Sequence, residues 1–160
     1  MTIQVGDAIP EVTLKHLGAN GMEDQNTAEL FKGKKAVLFG VPGAFTPTCS
    51  AKHLPGYLSQ AQELRAKGVD LIACMSVNDP FVMAEWAKSQ NAGEDVVMVA
   101  DGNGELTQAM GLEMDASGVC LGTRCQRFAL IAEDGKVTEL MVEEPGAFEV
   151  SSAESVLSKL

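Results

Sequence analysis

The chain has 160 residues, of which 46% are hydrophobic and 21% charged, a composition typical of one globular domain spanning residues 1–160. Its formal net charge is −10, so a polyanionic nucleic acid is a poor partner for its surface. No apolar run approaches the roughly 18 residues that would cross a membrane. The first ten residues carry no secretory-signal pattern. We therefore expect a cytoplasmic protein that does not bind membranes.

Short apolar runs rich in β-branched residues alternate with helical patterns along the chain. The predicted strands are 36–41, 69–77, 96–100, 128–132 and 137–142, and the predicted helices are 48–67, 79–90 and 152–160. This alternation is typical of an α/β fold whose sheet is mainly parallel, with antiparallel strands towards the C-terminus and helices on both faces. Pro55 lies inside the first helix and predicts a kink there.

The chain has four cysteines, namely Cys49, Cys74, Cys120 and Cys125. A disulfide framework is not expected in a reducing cytosol. No two cysteines form a C-x-x-C pair, which argues against a zinc ribbon and against a dithiol oxidoreductase. The remaining chemical interpretation is that one thiol acts as a nucleophile.

Cys49 has the best placement for that role. The strand 36–41 leads directly into residues 42–49, and ligands of open α/β sheets bind beyond the carboxyl ends of the strands. Thr46 suits the N-cap and Pro47 the first helical position, so Cys49 falls at the third position. The free N–H groups and the dipole of a helix start favour a thiolate. The alternative is that Cys49 is only a small buried residue at a helix start.

Several neighbouring residues have two interpretations each. Thr46 either caps the helix or hydrogen-bonds the sulfur or an incoming oxygen atom. Pro42 either shields a thiolate from water or merely ends the strand. His53, one helical turn after Cys49, either pairs with it or is a surface residue. The loop 101–104 lacks the spacing of a phosphate or calcium loop, which favours a simple turn.

Two of the three arginines, Arg124 and Arg127, precede the predicted strand 128–132. A guanidinium stabilises a thiolate and donates a fork of hydrogen bonds to oxygen atoms. The alternative is a salt bridge to one of the many carboxylates. Residues three apart on an extended chain point to opposite faces, so at most one of the two is aimed at a given site.

Four segments of the chain resemble the atypical type-II peroxiredoxins, the peroxiredoxin-V class. They are residues 5–10, 39–49, 76–81 and 122–128, and the P-x-x-x-T-x-x-C pattern in the second is the most specific. The resemblance implies a thioredoxin-like fold with a central mixed β-sheet flanked by helices on both faces. It also implies thiol-dependent reduction of hydrogen peroxide and organic hydroperoxides, with no metal, flavin or haem. The implied site residues are Cys49 as the peroxidatic cysteine, Thr46, Pro42 and Arg127.

The resemblance also bears on the catalytic cycle, in which the cysteine passes through a sulfenic acid. Some relatives resolve it with a second cysteine near residues 150–152, where this chain has Val-Ser-Ser. We expect Cys74 to be a core residue and regard Cys120 and Cys125 as weak alternatives for that role. The sequence therefore predicts a one-Cys cycle, with glutathione and glutaredoxin as reductant and thioredoxin as the alternative.

By resemblance the chain forms a homodimer, with Phe45 and Trp86 as interface residues. A thioredoxin-like disulfide reductase and a redox sensor without peroxidase turnover are the alternative functions. Sustained consumption of peroxide distinguishes the predicted enzyme from the sensor, and reduction of insulin without peroxide would indicate the disulfide reductase.

Overall fold

The computed structural model describes residues 2–160. The strands are β1 (Thr13–Gly18), β2 (Gly21–Asn26), β3 (Lys35–Gly40), β4 (Leu71–Ser76), β5 (Val97–Ala100), β6 (Glu113–Asp115), β7 (Thr123–Cys125), β8 (Phe128–Glu133) and β9 (Lys136–Val142). The α-helices are α1 (Thr27–Phe31), α2 (Leu54–Ser59), α3 (Ala61–Ala66), α4 (Pro80–Ser89), α5 (Glu105–Met110) and α6 (Ala153–Leu157). A π-helical turn spans Cys49–His53 and a 3-10 turn spans Ser117–Val119.

The central sheet has five strands in the order β5-β4-β3-β8-β9. The pairs β3–β4 and β4–β5 are parallel, while β8 runs antiparallel to β3 and β9 antiparallel to β8. All five strands predicted from the sequence are present, with ends displaced by at most two residues. Two antiparallel hairpins, β1–β2 and β6–β7, were not predicted.

Apolar side chains cover both faces of this sheet. Along β3, Val37 and Phe39 belong to one core cluster, whereas Ala36 and Leu38 belong to the other, as the period of two in a strand requires. The first cluster is covered by α2, α3, α4 and α6, and the second receives side chains of α1 and α5. The prediction of a mixed sheet with helices on both faces is confirmed, and the arrangement is the thioredoxin-like fold.

The predicted helix 48–67 is interrupted in two places. The N–H of Leu54 bonds to the Cys49 carbonyl, five residues back, which makes the first part a π turn. The irregularity predicted at Pro55 therefore lies just before the proline. A second break, not predicted, separates α2 from α3 at Gln60.

The other predicted helices are present. Asp79 caps α4 by accepting the Val82 N–H at 2.8 Å. Helix α6 is shorter than predicted and is capped by Ser152. The placement of Trp86 at a dimer interface is wrong, because this side chain of α4 is fully buried in the protein's own core.

Candidate active site

Cys49 and Arg127 meet beside the C-terminal end of β3. The segment after β3 carries Cys49 into the π turn, while Arg127 lies directly before β8, the antiparallel neighbour of β3. The Arg127 Nη2 atom donates a hydrogen bond to the Cys49 sulfur at 3.1 Å. Neither arginine of the 122–128 segment forms a salt bridge within residues 2–160, where the ion pairs are Lys15–Asp24 and Arg65–Asp95.

His53 holds the other arm of the same guanidinium. Its ring is fully buried, and its Nδ1 atom lies 2.9 Å from Arg127 Nη1. Its Nε2 atom lies 3.0 Å from the Ser151 carbonyl, which can only accept, so Nε2 carries the proton. Burial and the Arg127 charge lower the pKa of His53 to about 3. The ring is therefore neutral, and its Nδ1 lone pair accepts from Arg127.

The histidine is neither a surface residue nor a direct partner of Cys49, and it reaches the sulfur only through Arg127. Tyr57 donates its hydroxyl to the same Ser151 carbonyl at 2.7 Å. Phe39 stacks on Tyr57 with ring centroids 4.0 Å apart. Packing against Phe39 and Tyr57 thus fixes the His53 ring, and the ring in turn orients the Arg127 guanidinium.

Glu143 anchors the loop that carries Ser151. The side chain is only 6% exposed, and its Oε2 atom accepts four hydrogen bonds, from the N–H groups of Glu149, Val150 and Ser151 and from the Ser151 hydroxyl. Although burial raises the pKa of Glu143, these bonds outweigh it and lower the pKa below its usual value. Sequence reasoning missed Glu143 and Ser151, because nothing local marks a carboxylate that binds a distant loop.

Three tethers hold the segment before Cys49. Arg124 Nη1 donates to the Pro42 carbonyl at 3.2 Å, and the Ala44 N–H donates to Asn78 Oδ1 at 3.0 Å. The Thr46 hydroxyl donates to the Gly43 carbonyl at 2.6 Å. Arg124 thus positions the loop and leaves the sulfur to Arg127.

The Thr46 main chain starts the helix as predicted, because its carbonyl accepts the Ser50 N–H at 2.9 Å. Its hydroxyl instead donates backwards to Gly43. That direction leaves the lone pairs of the hydroxyl oxygen to accept a further bond.

A cavity of about 590 Å³ adjoins the Cys49–Arg127 pair. Pro42, Thr48 and Arg127 form part of its wall, and Glu143 and Glu144 also line it. Cys49 itself is fully buried and does not line the cavity, although its neighbour Thr48 does. A separate cavity of about 360 Å³, lined by His16, Met83 and others, contains no cysteine.

The other cysteines have different environments. Cys74 and Cys125 are fully buried, and burial raises the pKa of both thiols well above the usual range. Cys120 is exposed. All four thiols are free in the structure.

Comparison with known proteins places the chain in a family. The family model described as Redoxin matches residues 4–157. Peroxiredoxin-2E-2, chloroplastic, of Oryza sativa subsp. japonica is 56% identical over 99% of this chain and 73% of its own length. Peroxiredoxin-2B of Arabidopsis thaliana is 50% identical over 99% of this chain and 98% of its own.

The chain belongs to the peroxiredoxin family. Reduced Prx3 of Vibrio vulnificus, solved in complex with H2O2, matches this peroxiredoxin with a TM-score of 0.95 and 54% identity over 99% of each chain. The protein is therefore a thiol-dependent peroxidase, which takes hydroperoxide substrates and a thiol reductant.

Residues 2–160 of the peroxiredoxin contain no group of three or more His, Cys, Asp or Glu side chains placed to hold a metal ion. None of the helices in this range combines the length and the apolar character of a membrane span.

The buried Asp101 of the 101–104 loop accepts three hydrogen bonds from Leu106 and Thr107, so it caps the start of α5.

Proposed function

We propose that Cys49 is the peroxidatic cysteine and that Arg127 is its catalytic partner. The observation that carries the proposal is the 3.1 Å hydrogen bond from Arg127 Nη2 to the Cys49 sulfur. A guanidinium at that distance stabilises a thiolate, which is the nucleophilic form of cysteine. The position of Cys49 in the first helical turn after Pro47 supports the same charge.

The reaction is a nucleophilic displacement on oxygen. The thiolate attacks the hydroxyl oxygen of the hydroperoxide, an S–O bond forms, and the O–O bond breaks. Sulfur is oxidised by two electrons to the sulfenic acid, and the departing alkoxide or hydroxide takes a proton from solvent. Arg127 can donate to the oxygen on which negative charge builds, which stabilises the transition state more than the ground state.

Thr46 and Pro42 have supporting roles in this proposal. Because the Thr46 hydroxyl hydrogen is bonded to Gly43, its oxygen presents lone pairs that can accept the hydroperoxide O–H. That bond orients the substrate with its hydroxyl oxygen towards sulfur. Pro42 forms a half-buried apolar part of the cavity wall and limits the access of water to the thiolate.

We infer that the cycle uses one cysteine of this chain. Burial keeps Cys74 and Cys125 protonated, which makes both poor nucleophiles towards a sulfenic acid. Cys120 is exposed whereas Cys49 is fully buried, so the two thiols are not in contact in the folded protein. An external thiol, glutathione in our proposal, forms a mixed disulfide with Cys49 and releases water. A second glutathione, with glutaredoxin, releases the thiolate and oxidised glutathione.

The experiment measures steady-state consumption of peroxide with glutathione and glutaredoxin or with thioredoxin. Wild type should turn over faster with the former, Cys49→Ser should be inactive, and Cys120→Ser should match wild type. Mass spectrometry after one equivalent of peroxide should show a sulfenic acid, or a glutathione adduct when glutathione is present. An internal disulfide would refute the one-Cys cycle.

We also propose that the domain spans residues 1–160 and forms a homodimer. Phe45 and Phe81 are more than half exposed, and the segments that carry them are joined by the bond between Ala44 and Asn78. Exposed aromatic side chains on two adjoining segments favour a protein contact. Sedimentation of wild type and Phe45→Ser tests it. A cytoplasmic location stays a prediction.

A further inference from the structure

Two side chains of one helix converge on the residue that follows Cys49. The Trp86 indole N–H donates to the Ser50 hydroxyl at 3.0 Å. The Gln90 side-chain amide, four residues further on, donates to the Ser50 carbonyl at 3.1 Å. Positions four apart share one face of a helix, so α4 and its C-cap residue present both donors together.

The Ser50 carbonyl needs this external donor because of the local chain geometry. In a regular α-helix the Leu54 N–H would bond to it, but that N–H is bonded to Cys49 instead. In a π-helix the partner would be the N–H of residue 55, which is a proline and has none. Neither helical pattern can therefore satisfy this carbonyl, and Gln90 does so.

The same segment of chain also holds the other side of the cysteine. Asn78, just before α4, accepts the Ala44 N–H. The residues from Asn78 to Gln90 thus contact the chain both before and after Cys49. Within the π turn, the Ser50 carbonyl is the group that no main-chain N–H of the turn can satisfy by an α- or π-helical bond.

We propose that Gln90 is a positioning residue of the peroxidase. Its amide holds the π turn in the shape that places the Cys49 sulfur against Arg127. The inference rests on the proposed role of Cys49 as nucleophile. Loss of the donor leaves the Ser50 carbonyl unpaired, so the turn rearranges and the sulfur leaves its position, while the fold remains.

The test uses three variants of similar size. Gln90→Met keeps the length of the side chain and removes the donor, whereas Gln90→His keeps an N–H of similar reach. Lys88→Met is the matched control, because Lys88 lies two residues before Gln90 in the last turn of α4 and its side chain is exposed. The second-order rate constant with H2O2 is measured by stopped flow on the reduced protein, using the fluorescence of Trp86, the single tryptophan.

Gln90→Met should react at least about tenfold more slowly, since small displacements of reacting groups have effects of this order. Its melting temperature should fall by no more than about 4 °C, the effect of one hydrogen bond. Gln90→His and Lys88→Met should stay within threefold of wild type. The emission maximum of Trp86 should shift in Gln90→Met alone.

The inference is overturned if Gln90→Met reacts within threefold of wild type, or if Gln90→His loses as much as Gln90→Met. Cys49→Ser is run in the same assay. If Cys49→Ser still consumes H2O2, the proposed function fails. If Cys49→Ser is inactive while Gln90→Met reacts normally, only the role of Gln90 fails.

Discussion

Arg127 donates one arm of its guanidinium to Nδ1 of His53 at 2.9 Å, and its other arm reaches the Cys49 sulfur. The histidine therefore acts on the arginine and not on the nucleophile. The ring must be neutral, because a protonated Nδ1 would place its N–H against the N–H of Arg127 and no hydrogen bond could form. The low pKa of His53 and its bond to Ser151 secure that state.

Replacement of His53 should change the reaction with peroxide according to the hydrogen bonds that the new side chain keeps. His53→Leu removes the acceptor for Arg127 and should slow the second-order reaction by about 10- to 100-fold. His53→Gln offers an amide oxygen to Arg127 and an N–H to Ser151, so it should retain much more of the rate. Stopped-flow kinetics on the reduced protein checks both. Equal losses in the two variants would contradict the positioning role of the ring.

Arg127→Lys should separate charge from geometry. A lysine keeps the positive charge, but one ammonium group cannot bridge Cys49 and His53 as the planar fork does. We expect the rate constant with H2O2 to fall by about 100-fold, the usual effect of losing one oriented donor. Arg65→Lys is the matched control, since Arg65 pairs with Asp95 and contacts neither Cys49 nor the loop before it. A lysine enzyme of normal rate would show that charge alone suffices.

The five strands of the central sheet can be predicted because burial on both faces produces nearly continuous apolar runs such as β3 and β4. The β1–β2 hairpin cannot, since β2 reads Gly-Met-Glu-Asp-Gln-Asn and lacks any apolar alternation. Its strand character comes from pairing with β1. Local preference is overridden there by the contacts of the folded chain.

The candidate site likewise has one part that the sequence predicts and one part that it does not. Cap and proline signals are local, so they point to Cys49 from the sequence alone. The bond between His53 and Ser151 joins residues 98 positions apart, and no short pattern announces it. The π turn is also hidden, because Pro55 predicts a disturbed helix but not which carbonyl loses its partner. Gln90 supplies that partner from another helix.

The stability of the protein should fall in acid more steeply than exposed groups would cause. His53 has a pKa of about 3 in the folded protein and an ordinary value of 6.5, so the unfolded chain binds the proton first as pH falls. The free energy of unfolding is therefore not reduced by this group above pH 6.5, and it falls as the pH decreases from 6.5 to about 3. One group with such a shift changes the free energy of unfolding by about 1.4 kcal/mol per pH unit in that window.

Urea denaturation at pH 7 and pH 4.5 measures this effect. Wild type should lose about 2.5 kcal/mol more than His53→Gln over that interval, since the amide does not titrate. His16→Gln, a change of the only other histidine, is the control and should behave as wild type. Equal losses in wild type and His53→Gln would show that the buried ring is not what limits acid stability.

Glu143→Gln should weaken the loop that orients His53. The Oε2 atom accepts four hydrogen bonds from one short segment, and each is strengthened by the negative charge of the carboxylate. A neutral amide accepts more weakly, and if its NH₂ group faces the loop it opposes the donors outright. We expect a loss of about 1–3 kcal/mol in the free energy of unfolding. Reaction with peroxide should also slow, because the Ser151 carbonyl that holds His53 moves with the loop. Glu133→Gln makes the same chemical change at an exposed position outside the cavity and should leave both measurements unchanged. Equal effects of the two substitutions in urea denaturation and stopped-flow assays would mean that net charge matters here and the buried anchor does not.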